Sequence, residues 1–344
     1  MDTTNANTHS NNNIKQSNVA SAPQKTDTLN TEARNTEARN TEARNIEVRN
    51  NTGAVIATGI LLALIATVLF SIKPILVKFA YQFGGDPVAI MAIRAAFSLP
   101  FYLAMLLWLC RHQTHRNNLL RYSLPAGLVG VLGYYIASYL DILSLQYVSA
   151  QLERLLIFLF PTFVVLISWI WLKQTPSSRT LKATGLGYIG VSCIVAHDLS
   201  SMGGNTLLGS GLAIGSAIIF ATYLVLSKSL ITKMGSQLFT CIGMGSAGFI
   251  ILLQSNITGV EPSTFSREFI IIGVIMGFFC TVLPSFLIAA AMQRLSPSQL
   301  SLTSNIGPAI TAIFAVVLLG EAFTLYHAIG MSVVVYSVVL MNRK

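Results

Sequence analysis

Charge is what this chain has least of. Only 10% of its 344 residues are Asp, Glu, Lys or Arg, where a soluble domain carries roughly 25%. Hydrophobic residues make up 53% and the mean hydropathy is +0.64. A soluble globular protein is thereby excluded, and the lipid bilayer becomes the first partner. Cysteine is scarce too. Cys110, Cys193, Cys241 and Cys280 show neither a CxxC pair nor metal-ligand spacing, so no disulfide framework or zinc site is indicated. There is no nucleotide-binding motif, hence no ATPase in the chain, and no cofactor is expected. No cleavable signal peptide is expected. The first apolar run starts near Ala54, after a long polar tail, and is too long for a signal core. The net charge of +9 does not argue for nucleic acid, because the basic residues sit in short loops between apolar spans.

What is there begins with a polar segment, residues 1–52. It contains Asn30-Thr-Glu-Ala-Arg34, copied at Asn35 and Asn40 and degenerate at Asn45. With almost no aromatic or branched apolar residues it cannot bury enough surface to fold alone, and it reads as a disordered cytoplasmic tail. Beyond it, ten apolar spans follow, at about 54–79, 88–109, 124–144, 147–172, 180–197, 207–228, 237–254, 268–290, 298–319 and 323–341. With the N-terminus inside, the inner loops hold Arg111, Arg116, Arg121, Lys173, Arg179, Lys182, Lys233 and Arg294, and the C-terminus adds Arg343 and Lys344. The outer loops hold only Arg267. That asymmetry places both termini in the cytoplasm.

The second half repeats the first. At a constant offset of 147, Gly130 pairs with Gly277, Ser138 with Ser285, Gln146 with Gln293, Ser149 with Ser296 and Pro161 with Pro308. Phe70–Lys78 also mirrors Phe220–Lys228 at an offset of 150. A unit of five helices, 54–198 and again 205–342, inserts its two copies in opposite orientations. The expected fold is therefore an all-α integral membrane protein of ten transmembrane helices in two inverted five-helix repeats, which points to transport by alternating access.

Ionisable residues inside the membrane are costly, and they pair, face inward or line a path. Lys73, Arg94, Asp141, Glu153 and Arg154 all fall at similar depth in the outer half of the first repeat. Adjacent on one helix, Glu153 and Arg154 lie about 100° apart and need partners elsewhere. The expected pairs are Glu153 with Lys73 or Arg94, and Arg154 with Asp141. These cations are candidates for a substrate carboxylate or phosphate, and Glu153 or Asp141 for proton exchange; the competing reading is that the pairs only lock the repeat together. In the second repeat Asp141, Glu153 and Arg154 face Ile288, Leu300 and Ser301. Ser301, Ser304 and Asn305 offer neutral polar groups there. Tyr139 is a further candidate for lining the site, and Pro161 and Pro308 for a shared hinge or cavity bend. His197 and His327 read as isolated at helix ends, which counts against an embedded enzyme.

Leu145-Gln-Tyr-Val-Ser-Ala150, Pro161, Trp171-Leu-Lys-Gln174, Leu295-Ser-Pro-Ser298, Pro308 and Leu319-Gly-Glu321 together resemble the EamA-type carriers of the drug/metabolite transporter superfamily. The first copy departs from Leu-Gly-Glu with Leu-Lys-Gln. The resemblance covers about 60–342 and implies a central cavity between the repeats of a bacterial inner-membrane protein. It further implies a secondary transporter, an exporter of a small polar metabolite such as an amino acid, drawing on a proton or counter-substrate gradient if transport is uphill. The alternatives are a membrane-embedded enzyme and a non-transporting membrane sensor.

Overall fold

The computed structural model describes residues 54–342 except 174, 203, 296–299, 301, 302 and 305. The expected N-terminal tail, Ser301 and Asn305 lie outside those residues. All regular structure among the described residues is helical. We label the helices α1 (Ala54–Gln82), α2 (Pro87–Leu109), α3 (His115–Ser144), α4 (Ala150–Trp171), α5 (Ser178–Met202), α6 (Asn205–Met234), α7 (Ser236–Ile257), α8 (Arg267–Arg294), α9 (Gly307–Leu319) and α10 (Leu325–Asn342). Seven of them, α1–α4 and α6–α8, are long and apolar enough to cross a membrane, while α9 and α10 contribute shorter apolar stretches. α5 is long but more polar, with Arg179, Lys182, His197 and Asp198 on it. Leu107, Leu128, Ile170, Ile189, Phe249 and Val317 are all more than half exposed. An outward apolar surface of this kind suits lipid.

Local chemistry sets the helix ends. Asp86 opens α2 by accepting the Val88 and Ala89 N–H groups at 2.7 and 2.9 Å. Ser149 does the same for Leu152 at 3.1 Å, and Ser266 for Phe269 at 3.1 Å. Two boundaries differ from expectation. The helix leading into α3 begins at Gln113, about ten residues early, because its first turns are polar and exposed and need no lipid to hold them. α4 begins at Ala150, where Ser149 caps it, and is interrupted at Phe158–Leu159. Pro161 lacks the N–H that would continue the ladder, so the helix restarts at Phe160.

The two copies share irregularities as well as residues. α3 winds as a π-helix over Val131–Ile136 and α8 over Phe278–Val282, so both bulges start at positions related by the 147 offset. Lys173 and Gly320, the same distance apart, end their helices in the left-handed region at φ 54° and 64°. Pro161 and Pro308 both sit in the first turn of a helical segment. Packing is reciprocal too. Gly130 on α3 lies against the backbone of Gly243 on α7, and Gly277 on α8 lies against Arg94 and Phe97 on α2. α3 packs on α6, and α1 packs on α8 through Ala63, Ala291 and Leu295. Helix ends meet in a consistent pattern. The start of α4 meets the α9–α10 turn at Glu321, and the end of α5 meets the start of α10. The start of α1 meets the end of α8.

Candidate functional site

The site is built where α1, α3, α4 and α9 converge. Asp141 on α3 forms an ion pair with Lys73 on α1, and their side chains are 8% and 17% exposed. Ser144 turns its hydroxyl to the Asp141 carbonyl at 2.7 Å, which leaves the carboxylate to its other neighbours. Glu153 projects from the first turn of α4, is buried, and has Oε2 without a hydrogen-bond partner. Its carboxyl lies within hydrogen-bond reach of Asp141. Arg94 on α2 is buried and donates from Nη2 to Ser138 at 2.7 Å, one turn before Asp141.

Arg154 differs from the other cations. Its Nε is buried without a partner, and no carboxylate lies within ion-pair distance among the described residues. Its Nη2 points at Gly307, where an added Cβ would stand 3.6 Å away. Thr67 and Ser71 of α1 flank the same spot. Ser71 donates to the Gly307 carbonyl at 3.2 Å, and Thr311 donates to the Ser71 carbonyl at 2.9 Å. Thr67 donates to Ser304 at 3.3 Å. The guanidinium therefore faces a polar, glycine-lined approach at the start of α9.

The structure thus brings Lys73, Arg94, Asp141, Glu153 and Arg154 together, but not in the expected pairs. Lys73 takes Asp141, Arg94 takes Ser138, and Glu153 lies against the other carboxyl. Ser304 faces Thr67 close by. Tyr139, like Tyr135, is partly buried and packs against an apolar cluster. Pro161 and Pro308 are buried beside their helix restarts.

Two residues were not anticipated. Glu321 accepts the Ala150 and Gln151 N–H groups at 2.7 and 3.3 Å, capping α4 from the other repeat. Lys78 stands within electrostatic reach of both Glu321 and Glu153. A lysine one turn and a half beyond Lys73 in an apolar helix was the available signal for the second.

A duplicated bundle of apolar helices around a buried ionisable cluster defines a multi-pass membrane transport protein. Comparison with known proteins identifies the kind. The model of the EamA-like transporter family matches residues 57–196 and again 207–343, and the chain belongs to that family. It is 26% identical to the uncharacterized transporter YcbK of Bacillus subtilis (strain 168), over 80% of this chain and 89% of that protein. It is 24% identical to the S-adenosylmethionine/S-adenosylhomocysteine transporter of Chlamydia trachomatis serovar L2, over 61% of this chain and 68% of that one. One solved protein structure, 17% identical, superposes with a TM-score of 0.60 over 83% of this chain and 96% of its own, which supports the fold.

Proposed function

We propose that this protein is a secondary carrier that exports a small zwitterionic metabolite of the amino-acid type by alternating access. Ten membrane helices form two inverted repeats in this reading, with both termini in the cytoplasm of a bacterial inner membrane. The Lys and Arg distribution supports the orientation. The meeting of α4 with the α9–α10 turn, and of α1 with the end of α8, supports helices that alternate in direction.

One observation carries the substrate class: Arg154, whose buried guanidinium Nε has no hydrogen-bond partner, lies within electrostatic reach of Glu153 and Asp141 without forming an ion pair with either. A bidentate fork of this type matches a carboxylate. An ammonium group on the same ligand would be drawn to Glu153 and Asp141, which act electrostatically on Arg154. In this reading one of the two carboxyls, Glu153 or Asp141, carries an exchangeable proton. Release of that proton when the ammonium binds would couple export to a proton gradient. The S-adenosylmethionine transporter among the relatives moves a molecule with an amino-acid end, which agrees with this chemistry. Breaks at Pro161 and Pro308 give each repeat a place to bend as the cavity opens to either side.

The test is exchange in proteoliposomes across a panel of labelled amino acids and their adenosyl derivatives. Wild type should exchange at least one zwitterion. Arg154→Ala should lower its transport at least tenfold. Glu153→Gln should keep exchange but lose proton-driven accumulation. If wild type moves nothing under any gradient, the carrier reading fails; if Arg154→Ala transports normally, the site lies elsewhere.

A further inference from the structure

His197 and His327 are 130 positions apart, yet α5 and α10 bring them onto one carboxylate. His197 Nδ1 is 3.1 Å from Asp198 Oδ1, and His327 Nε2 is 3.2 Å from the same oxygen. Two imidazole nitrogens and a carboxylate oxygen thus converge within 4.8 Å of one another. Zinc binds nitrogen and oxygen ligands at about 2.0–2.2 Å, which places neighbouring donors on a tetrahedral ion about 3.3 Å apart. The two donor separations are already close to that value.

The surroundings also suit a metal. Thr324 Oγ1 lies 2.8 Å from His327 Nδ1, the nitrogen facing away from Asp198. A partner there orients the ring and can accept its Nδ1 proton once Nε2 ligates, as second-shell groups do for ligating histidines. Tyr326 stacks on His197 with centroids 4.7 Å apart and planes at 27°. Beneath the cluster, α5 and α10 cross closely, since a Cβ on Gly330 would stand 2.7 Å from the Gly190 carbonyl oxygen. The His197 side chain is 23% exposed, against 6% for His327 and 4% for Asp198, so an ion would enter from the His197 side.

We infer that His197, Asp198 and His327 form a binding site for a borderline divalent transition metal, Zn²⁺ foremost, which clamps the end of α5 to the start of α10. Two imidazoles and one carboxylate favour Zn²⁺ over Mg²⁺ or Ca²⁺, which prefer all-oxygen shells. Among the described residues three protein ligands are available. On binding, each ring presents the lone pair of the nitrogen now facing Asp198, and its proton moves to the opposite nitrogen. For His327 that proton then points to Thr324 Oγ1, and the 3.4 Å approach of the Thr324 N–H is given up.

The experiment uses the full chain with a non-histidine affinity tag, stripped of metal with chelator. Wild type should bind one equivalent of Zn²⁺ with micromolar or tighter affinity, melt at a higher temperature with Zn²⁺ than with Mg²⁺, and show the intense visible bands of low-symmetry Co²⁺ on cobalt loading. His327→Ala and His197→Ala should each weaken Zn²⁺ binding at least tenfold and abolish the cobalt bands. Thr324→Val, which keeps all three ligands, should weaken binding severalfold. Absence of Zn²⁺ binding or cobalt bands in folded wild type overturns the site. So does binding that persists unchanged in the two histidine variants, or equal stabilisation by Mg²⁺.

Discussion

The Glu321 carboxylate accepts the Ala150 N–H at 2.7 Å, so a side chain of the second repeat closes the open end of a helix in the first. Its other oxygen takes the Gln151 N–H, and Ser149 takes that of Leu152. Glu153, Arg154 and the Pro161 break hang from that helix start, so the cap holds the buried ionisable cluster in register. Glu321→Ala should cost about 1–2 kcal/mol, read as a lower melting temperature in nanodiscs. Glu321→Gln retains one acceptor and should recover part of the loss. An unchanged melt in Glu321→Ala would show that the cap contributes nothing.

The Lys73–Asp141 pair is mostly buried, and breaking it leaves a charge behind. Asp141→Asn should destabilise the protein by about 3–5 kcal/mol, whereas replacing both partners by Met and Leu should restore most of that. Flux should stay low in the double variant, since the carboxyl beside Glu153 is gone. Equilibrium unfolding and liposome exchange on the same samples check this. Recovery of flux together with stability would make the pair purely structural.

Gly130 and Gly277 occupy matched positions but tolerate different things. A Cβ on Gly130 would stand 2.1 Å from Gly243 Cα, backbone that cannot step aside. On Gly277 the nearest atoms are 3.1 Å away. Gly130→Ala should cost about 1–3 kcal/mol or more, in the range of overpacked cores, and Gly277→Ala distinctly less. Thermal melts of the two variants side by side decide it; equal losses contradict the geometry.

Gly320 and Lys173 end their helices in the same left-handed turn. Nothing lies within 4 Å of a Cβ on Gly320, so only backbone strain opposes a side chain. Gly320→Lys copies what the first repeat already carries and should cost about 1 kcal/mol. Gly320→Val should cost more, because a branched side chain is worse at positive φ. A melt in which Val is tolerated better than Lys rules this out.

Much of the scaffold was legible in the sequence because duplication writes itself as a constant offset. The shared glycines and prolines survive where helices approach closely or restart. That Lys73, Arg94, Asp141, Glu153 and Arg154 come together was legible too, since 1.5 Å per residue puts them at matching heights along neighbouring helices. Which of them pair was not. Helical wheel angles say that Glu153 and Arg154 diverge, but the azimuth of each helix against its neighbours comes from tertiary packing. For the same reason His197 and His327 read as isolated, although packing of α5 on α10 joins them. Glu321 was visible as part of a motif, but its cap on Ala150 crosses 171 positions. The π-helical stretches have no residue signature, since Val131–Ile136 and Phe278–Val282 share no identity in register.

Those two stretches begin 147 positions apart, although they share no identical residue in register. A π-bulge amounts to one residue inserted into an α-helix, and it is rare. Two independent insertions landing in the same register is a poor explanation. A single insertion in a half-length ancestor, inherited by both descendants when its gene doubled, accounts for the coincidence. The bulge then predates the duplication that left two segments matching one family model. Everything that separates the halves today, Asp141 against Ile288 and Glu153 against Leu300 included, was acquired afterwards.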